Sequence, residues 1–185
     1  MENGEYATAR AEVERFFWSD LCDNYLELAK ARLYSASGPE HKAAQWTMYQ
    51  ALLTSLKLFA PYLPYVTEKI YQELFRSQEE AISLHTTAWP NVHTQQLDAI
   101  AEEVGRLVLE LLRQVRRYKA EQGLSVGVEM KLLHISLQQN AIQRSTEIET
   151  SLIVVKSATR AQTIVFCDQV IENVQGMTEL LVELT

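Results

Sequence analysis

The chain has 185 residues, with 17 Lys and Arg against 24 Asp and Glu, so its formal net charge at pH 7 is -7. This balance opposes non-specific binding to nucleic acid, which depends on neutralising phosphates with Lys and Arg, so any RNA contact must be local. Hydrophobic residues make up 47% of the chain, and no apolar run approaches the roughly 20 residues that a membrane span needs.

The amino terminus and the cysteines favour a cytoplasmic protein. The first residues, MENGEYATARAEVERFF, carry acids where a secretory signal has a basic start and an apolar middle. Cys22 and Cys167 fit free thiols better than a disulfide, since they lie in a predicted helix and a predicted strand. We therefore expect a cytoplasmic chain without a membrane segment.

The first predicted helix runs from about Tyr6 to Tyr34. Side chains three or four residues apart form an apolar stripe on one face: Val13, Phe17, Leu21, Tyr25 and Leu28. The other side collects a charged ridge: Asp20, Asp23, Glu27 and Lys30. On composition alone, this ridge is the solvated face of an amphipathic helix. It also hints at a partner, because the like charges of Asp23 and Glu27 lie four residues apart and weaken the helix slightly.

Prolines mark the next two helices. Pro39 suits the first turn of a second helix, which is predicted to reach about Ala60, where Pro61 ends it. Pro64 suits the start of a third helix, which is predicted to reach about Arg76. The side chains predicted to face inward from this third helix are Val66, Ile70 and Leu74, with Tyr71 and Phe75 beside them.

The segment from Ser77 to Gln95 loses the helical period and is predicted to be an extended strap, with Trp89 as its anchor over an apolar surface. A fourth helix follows from about Thr94 to Gln122, with Gly123 as its C-terminal cap. Its predicted apolar stripe consists of Ile100, Val104, Leu107, Leu111, Val115 and Tyr118. Four antiparallel helices predict a bundle over residues 1–123.

Four cations crowd the end of the fourth predicted helix: Arg113, Arg116, Arg117 and Lys119. Positive charge favours the negative end of the helix dipole, which is a purely structural explanation. The same cations would form a small electropositive patch for RNA phosphates. Because Arg113 and Arg117 share a face, these two are the predicted phosphate contacts.

The second predicted domain covers residues 124–185. After Gly123 the apolar residues alternate, which predicts a strand that ends near Leu137. A helix from about Gln139 to Ser157 and two strands, RAQTIVFC and ELLVEL, complete a β-α-β-β unit. The predicted fold class is therefore mainly α, an antiparallel helix bundle followed by a small α+β subdomain.

Motifs for catalysis, cofactors and metals are missing from the sequence. No glycine-rich loop is available to cradle a nucleotide phosphate, so we expect no ATP binding by this chain. The four histidines are scattered without partners at metal-ligand spacing: His41, His85, His93 and His134. No Ser or Cys lies in a nucleophile motif, so we predict no catalytic residues, no cofactor and no metal.

Two groups of sequence words resemble one family. The first helix contains FFW, CDNYLELAK and ARLY, and residues 56–74 read LKLFAPYLPYVTEKIYQEL, followed later by Trp89-Pro90. In this order the words resemble the anticodon-binding helical domain of valyl-tRNA synthetase, a class I aminoacyl-tRNA synthetase. The resemblance implies an anticodon-binding bundle whose partner is the anticodon loop of valine tRNA.

The resemblance also implies roles for residues of the first helix. Leu26 would pack on the third anticodon base, a cytosine, while Glu27 accepts a hydrogen bond from its exocyclic amino group. Lys30 would contact a phosphate or pair with Glu27, and Asp23 would be an orienting group. Asn24 departs from the family pattern, since relatives often carry a second aromatic residue at this position.

Catalysis is expected elsewhere in a longer parent chain. Class I synthetases activate the amino acid with HIGH-like and KMSKS-like sequences, and neither occurs here. The resemblance therefore implies a fragment that lacks the catalytic site, the ATP being used by the catalytic domain of the same parent chain. It also implies that an upstream helix with further anticodon contacts is missing.

Two other interpretations stay open at this point. The isoleucyl and leucyl relatives share the four-helix plan and a similar first helix, although the Cys-Asp start and FFW favour the valyl family. A different class of function is a helical module for protein-protein interaction, in which the acidic ridge and the basic helix end meet other proteins.

Overall fold

A computed structural model describes residues 5–34, 37–92, 97–137, 151–167 and 179–184. The chain forms two compact units, residues 1–96 and 97–185, which are described separately. The fourth helix belongs to the second unit in this division, whereas the predicted domains were residues 1–123 and 124–185, and that boundary stays a prediction. Within the described ranges, no helix combines the length and the apolar character that crossing a membrane requires.

The first predicted helix is present, but its hydrogen-bond register changes twice. It consists of α1 (Tyr6–Arg15), a π-helical segment (Phe16–Tyr25) and α2 (Leu26–Leu33). Both junctions keep helical backbone angles, so the three pieces form one continuous rod. Leu21 is the one residue of the predicted stripe that is fully buried, and the other four are half-buried. A π-helix of ten residues is unusual, because π-helices mostly occur as single turns, frequently at functional sites.

The core of the first unit lies between two further helices and the strap. Helix α3 (Pro39–Phe59) and helix α4 (Pro64–Leu74) both carry proline in the first turn, as predicted, because proline there sacrifices no helical hydrogen bond. The core cluster consists of Leu53, Leu56, Ala60, Tyr71, Phe75 and Leu84.

The inward face predicted for α4 is partly wrong. Tyr71 and Phe75 are buried and Ile70 is half-buried, as predicted, but Val66 and Leu74 are 50% and 57% exposed. Thr67, which was not predicted to face inward, is buried. The Thr67 hydroxyl donates to backbone carbonyls of the preceding turn, and the Tyr71 hydroxyl donates to the Ala81 carbonyl at 2.7 Å. These polar groups are buried without penalty because each has a hydrogen-bond partner.

The strap is present over the described residues 77–92, but Trp89 is not its anchor. Residues 93–95 of the predicted strap, with the predicted start of the fourth helix at Thr94, lie outside the described residues. Leu84, in a short 3₁₀ turn (Leu84–Thr86), is buried, whereas Trp89 is 52% exposed. The Glu68 carboxylate accepts hydrogen bonds from the Ser83 hydroxyl at 3.0 Å and the Leu84 amide at 2.9 Å. Burial by itself raises the pKa of Glu68, but the hydrogen bonds from Gln72, Ser83 and Leu84 outweigh it, so the pKa of Glu68 is lowered. A carboxylate clamp and a leucine therefore hold the strap on α4.

The second unit packs one long helix beside a parallel sheet. Helix α5 (Ala99–Glu121) begins at Asp98, whose carboxylate accepts from the amides of the first turn. It ends in a Schellman motif, in which Gly123 has a φ of 66° and the next amide donates to the Lys119 carbonyl at 2.7 Å. The predicted glycine cap is thus confirmed.

The sheet has the strand order β2-β1-β3, and both strand pairs are parallel. Its strands are β1 (Met130–Leu137), β2 (Ala161–Cys167) and β3 (Glu179–Leu184), and helix α6 (Leu152–Thr159) precedes β2 in the sequence. The predicted β-α-β-β order and the mainly α fold class are confirmed. The first part of the predicted helix, residues 139–150, lies outside the described residues.

Candidate nucleic-acid interface

The predicted base-reading residues lie where the π segment passes into α2. Asp23 is exposed in the last turn of the π segment, and Leu26 and Glu27, both half-buried, open α2. The Asn24 side-chain amide donates to the Ser19 carbonyl at 2.7 Å, within the π segment. An apolar residue and an acidic residue thus follow one another in the chain at the change of helical register.

Glu27 and Lys30 form an ion pair on the surface of α2. The ammonium group of Lys30 donates to Oε1 of Glu27, and the two side chains are 43% and 47% exposed. No described residue makes a hydrogen bond to Oε2, the second carboxylate oxygen. Lys30 therefore restrains the carboxylate while one oxygen stays open to solvent and to any incoming donor.

Asp20, at the other end of the ridge, belongs to a separate ion network. Arg15 lies 3.0 Å from its carboxylate and 3.2 Å from that of Glu12. The hydrogen bond to Glu12 and the charge of Asp20 raise the pKa of Arg15. Asp20 thus has a local partner, which accounts for its place on the ridge without any ligand.

The two arginines predicted to contact phosphates are exposed on α5, and each has a carboxylate partner on its own helix. Arg113 pairs with Glu110, and Arg117 lies 2.8 Å from Glu121. The hydrogen bond to Glu121 raises the pKa of Arg117. Such exposed pairs are weak, so a phosphate can compete for either guanidinium.

The chain matches the family model described as "Anticodon-binding domain of tRNA ligase" over residues 1–135. This chain belongs to that family. The match covers the whole first unit together with α5 and most of β1. The motif-bearing first helix and the helix with the two arginines are therefore both parts of the family domain.

Curated relatives with similar sequences are valine-tRNA ligases. The enzyme of Orientia tsutsugamushi (strain Boryong) is 36% identical over 146 residues, which are 78% of this chain and 17% of the relative. The Haloarcula marismortui enzyme is 40% identical over 129 residues, 70% of this chain and 13% of the relative. The Rickettsia conorii enzyme is 39% identical over 169 residues, 88% of this chain and 19% of the relative. The chain spans less than a fifth of the length of these relatives.

The prediction that Lys119 belongs to the basic patch of the anticodon-binding domain is wrong. Lys119 is 1% exposed, and its ammonium group donates to three carbonyls: Val126 at 3.0 Å, Val128 at 2.7 Å and Thr159 at 3.0 Å. The burial of Lys119, together with the charge of Arg160, lowers its pKa. Lys119 is buried because α5 turns this face towards the sheet, so it cannot contact RNA.

Sequence reasoning also missed a groove in the anticodon-binding domain. A cavity of about 590 Å³ lies between α3, the strap and the start of the π segment. We call it the tryptophan groove and define it by Trp46, Gln50, Lys57, Trp89 and Asn91. The signal was present in the sequence, because the three α3 residues of the groove recur at helical spacing on one face of the helix. Among the described residues, no cluster of His, Cys, Asp and Glu could hold a metal.

Proposed function

We propose that this chain is the region of a cytoplasmic valine-tRNA ligase that binds the anticodon loop of valine tRNA. Catalytic domains elsewhere in the same parent chain would use ATP and attach valine, while this region contributes no catalytic residue, cofactor or metal. Membership of the anticodon-binding family and the valine-tRNA ligase relatives support the proposal. The observation that carries it is the Glu27 carboxylate, which offers one open oxygen beside the apolar Leu26 on the motif-bearing helix.

Glu27 is suited to reading cytosine. Sequence-specific RNA recognition mostly targets unstacked bases in single-stranded loops, as in an anticodon loop. Valine anticodons end in adenine and cytosine, and the exocyclic amino group of cytosine can donate to Oε2 of Glu27. Uracil presents a carbonyl at the same place and would be repelled. Leu26 packs on the ring, and Lys30 keeps the carboxylate oriented through Oε1.

The remaining predicted residues have supporting roles. Asp23 orients the loop from the neighbouring turn, and Arg113 and Arg117 contact phosphates on the same tRNA. Both arginines must exchange a carboxylate for a phosphate, so their contribution should fall with rising salt. The acidic first helix would thus read the base, whereas the two arginines would attract tRNA weakly and without regard to its sequence.

The test is fluorescence anisotropy of the chain with a valine anticodon stem-loop and with its variant carrying uracil as the third anticodon base, at fixed salt. A good base contact is worth about 1 to 3 kcal/mol, so we expect binding to the cytosine loop to be tighter by roughly fivefold or more. Glu27→Gln should abolish most of this preference, because a glutamine amide can accept from cytosine or donate to uracil.

A matched control comes from a similar surface pair on α4. Glu73 lies 2.9 Å from Lys69, so Glu73→Gln also removes one exposed paired carboxylate. The control should keep the cytosine preference of the unaltered chain. Equal binding to both loops by the unaltered chain would falsify the assignment of Glu27 as the base-reading residue.

A further inference from the structure

The tryptophan groove combines aromatic surface with unused hydrogen-bonding groups. Trp46 and Trp89 are each 52% exposed, an unusual situation for the largest apolar side chains of a protein. Within the described ranges, the two indole N–H groups and the side-chain amides of Gln50 and Asn91 make no hydrogen bond to the protein. The groove therefore offers flat apolar rings together with donors and acceptors that a ligand can use.

Lys57 gives the groove its charge. It is half-buried in α3 and, among the residues that the structure describes, is the one charged side chain that lines the cavity. No carboxylate of the described residues lies within ion-pair distance of Lys57. In contrast, Lys30, Lys69 and Arg117 all have acidic partners on their own helices. Lys57 thus brings a positive charge to a groove lined by Trp46 and Trp89, in a chain with a net charge of -7.

We propose that the tryptophan groove binds one unpaired nucleotide of the tRNA. The base stacks on Trp46 or Trp89, Lys57 holds its phosphate, and Gln50 and Asn91 meet the base edge. Stacking on aromatic side chains and phosphate contact by a cation are the usual means by which proteins hold single-stranded RNA. The volume of about 590 Å³ lies within the range of small-ligand sites. The proposal rests on the proposed function, since the same tRNA supplies the nucleotide.

A nucleotide suits the groove better than a protein segment does. Aromatic grooves also bind proline-rich peptides, which contribute apolar rings and backbone carbonyls but no anion. Such a ligand would leave the ammonium group of Lys57 unpaired in a partly closed site. A nucleotide brings a planar ring, polar edges and a negative charge, and so complements all three kinds of group in the groove.

Tryptophan fluorescence tests the stacking directly. The chain has three tryptophans, and Trp18 lies outside the groove, on the π segment. In Trp18→Phe, all emission comes from the groove, and we expect valine tRNA to quench it by stacking. In the double variant Trp46→Phe, Trp89→Phe, only Trp18 emits, and quenching should be lost or greatly reduced.

Affinities measured by anisotropy with the same tRNA complete the test. We expect the variant that removes the stacked ring, Trp46→Leu or Trp89→Leu, to weaken binding by roughly fivefold or more, as for other stacked bases. Lys57→Gln should weaken it less and reduce its salt dependence. Matched controls are Tyr65→Leu and Lys42→Gln, since Tyr65 and Lys42 are exposed residues of the same unit outside the groove, and both variants should bind like the unaltered chain.

The outcomes separate this inference from the proposed function. One outcome rejects the groove and keeps the proposed function. In it, tRNA binds and Glu27→Gln removes the cytosine preference, but tRNA does not quench the groove tryptophans and the groove variants bind as tightly as the unaltered chain. A chain that binds no tRNA at all overturns both. Quenching by tRNA that Trp46→Leu or Trp89→Leu removes, together with weaker binding by Lys57→Gln, establishes the groove as a nucleotide site.

Discussion

Lys30 of the first unit and Lys119 of the second unit occupy similar positions in their helices but differ in exposure and in partners. Each lies in the last turn of a helix, where a cation favours the helix dipole. Lys30 is 47% exposed and pairs with one carboxylate, whereas Lys119 is buried and donates to three carbonyls. The first lysine is available to a ligand, and the other is part of the fold.

The partners of a cation therefore decide its role more than its position on a helix does. A surface ion pair contributes little to stability, because water and salt screen it. A buried ammonium group has lost its water, so each of its three hydrogen bonds is needed to offset that loss. Lys119 thereby joins the end of α5 to the turn before β1 and to the last turn of α6.

Lys119→Met should have the largest effect on stability. Methionine keeps much of the length but leaves the carbonyls of Val126, Val128 and Thr159 without their donor. An unsatisfied buried group costs about 1 to 3 kcal/mol, so we expect the free energy of unfolding to fall by about 3 kcal/mol or more. Urea denaturation measures the loss. Lys131→Met, an exposed site on β1, should change stability by less than about 0.5 kcal/mol, and equal effects at the two sites would refute the structural role.

The pH dependence of the unfolding free energy also tests the burial of Lys119. Burial lowers the pKa of Lys119 from its usual 10.5, so between these two values the unfolded chain binds more protons than the folded one. The stability of the unaltered chain should therefore rise with pH across this window, relative to Lys119→Met. The measurement is the difference in unfolding free energy between the two proteins at several pH values from 7 to 10.5. A constant difference would contradict the lowered pKa.

The sequence predicted the order and type of most elements because their signals are local. Prolines at the start of α3 and α4, the glycine after α5 and the change from helical to alternating period after it all act within a few residues. Lys119 was also within reach of the sequence. The buried positions Val108, Leu111 and Val115 continue at helical spacing to residue 119, which places this lysine on the core face.

The face of α4 and the π segment could not be predicted in the same way. Two stripes on α4 have helical spacing, and the more apolar one, with Val66 and Leu74, is exposed, since hydrogen bonds allow Thr67 and Tyr71 to be buried. In the π segment, the period of 3.6 assumed by any helical pattern no longer applies. The amide of Asn24 bonds to a carbonyl five residues earlier, a choice that composition does not reveal.

Within the candidate site, the sequence predicted a carboxylate next to an apolar residue but could not choose between the two roles of Lys30. The ion pair with Glu27 shows one partner of Lys30, and its role towards RNA stays a prediction. The tryptophan groove was missed because its residues come from α3 and from the strap, which are far apart in sequence. Only the folded first unit brings Trp46 and Trp89 to one cavity.

Lys30→Met should have a small effect on stability and a selective effect on recognition. Loss of an exposed pair changes the unfolding free energy by less than about 1 kcal/mol, in contrast to the loss expected for Lys119→Met. Without Lys30 the Glu27 carboxylate is free to rotate, so the preference for the cytosine loop should fall, but less than in Glu27→Gln. Urea denaturation and anisotropy with the cytosine and uracil stem-loops measure the two effects. If Lys30→Met weakened binding to both loops equally and left the preference unchanged, Lys30 would act as a phosphate contact and not through Glu27.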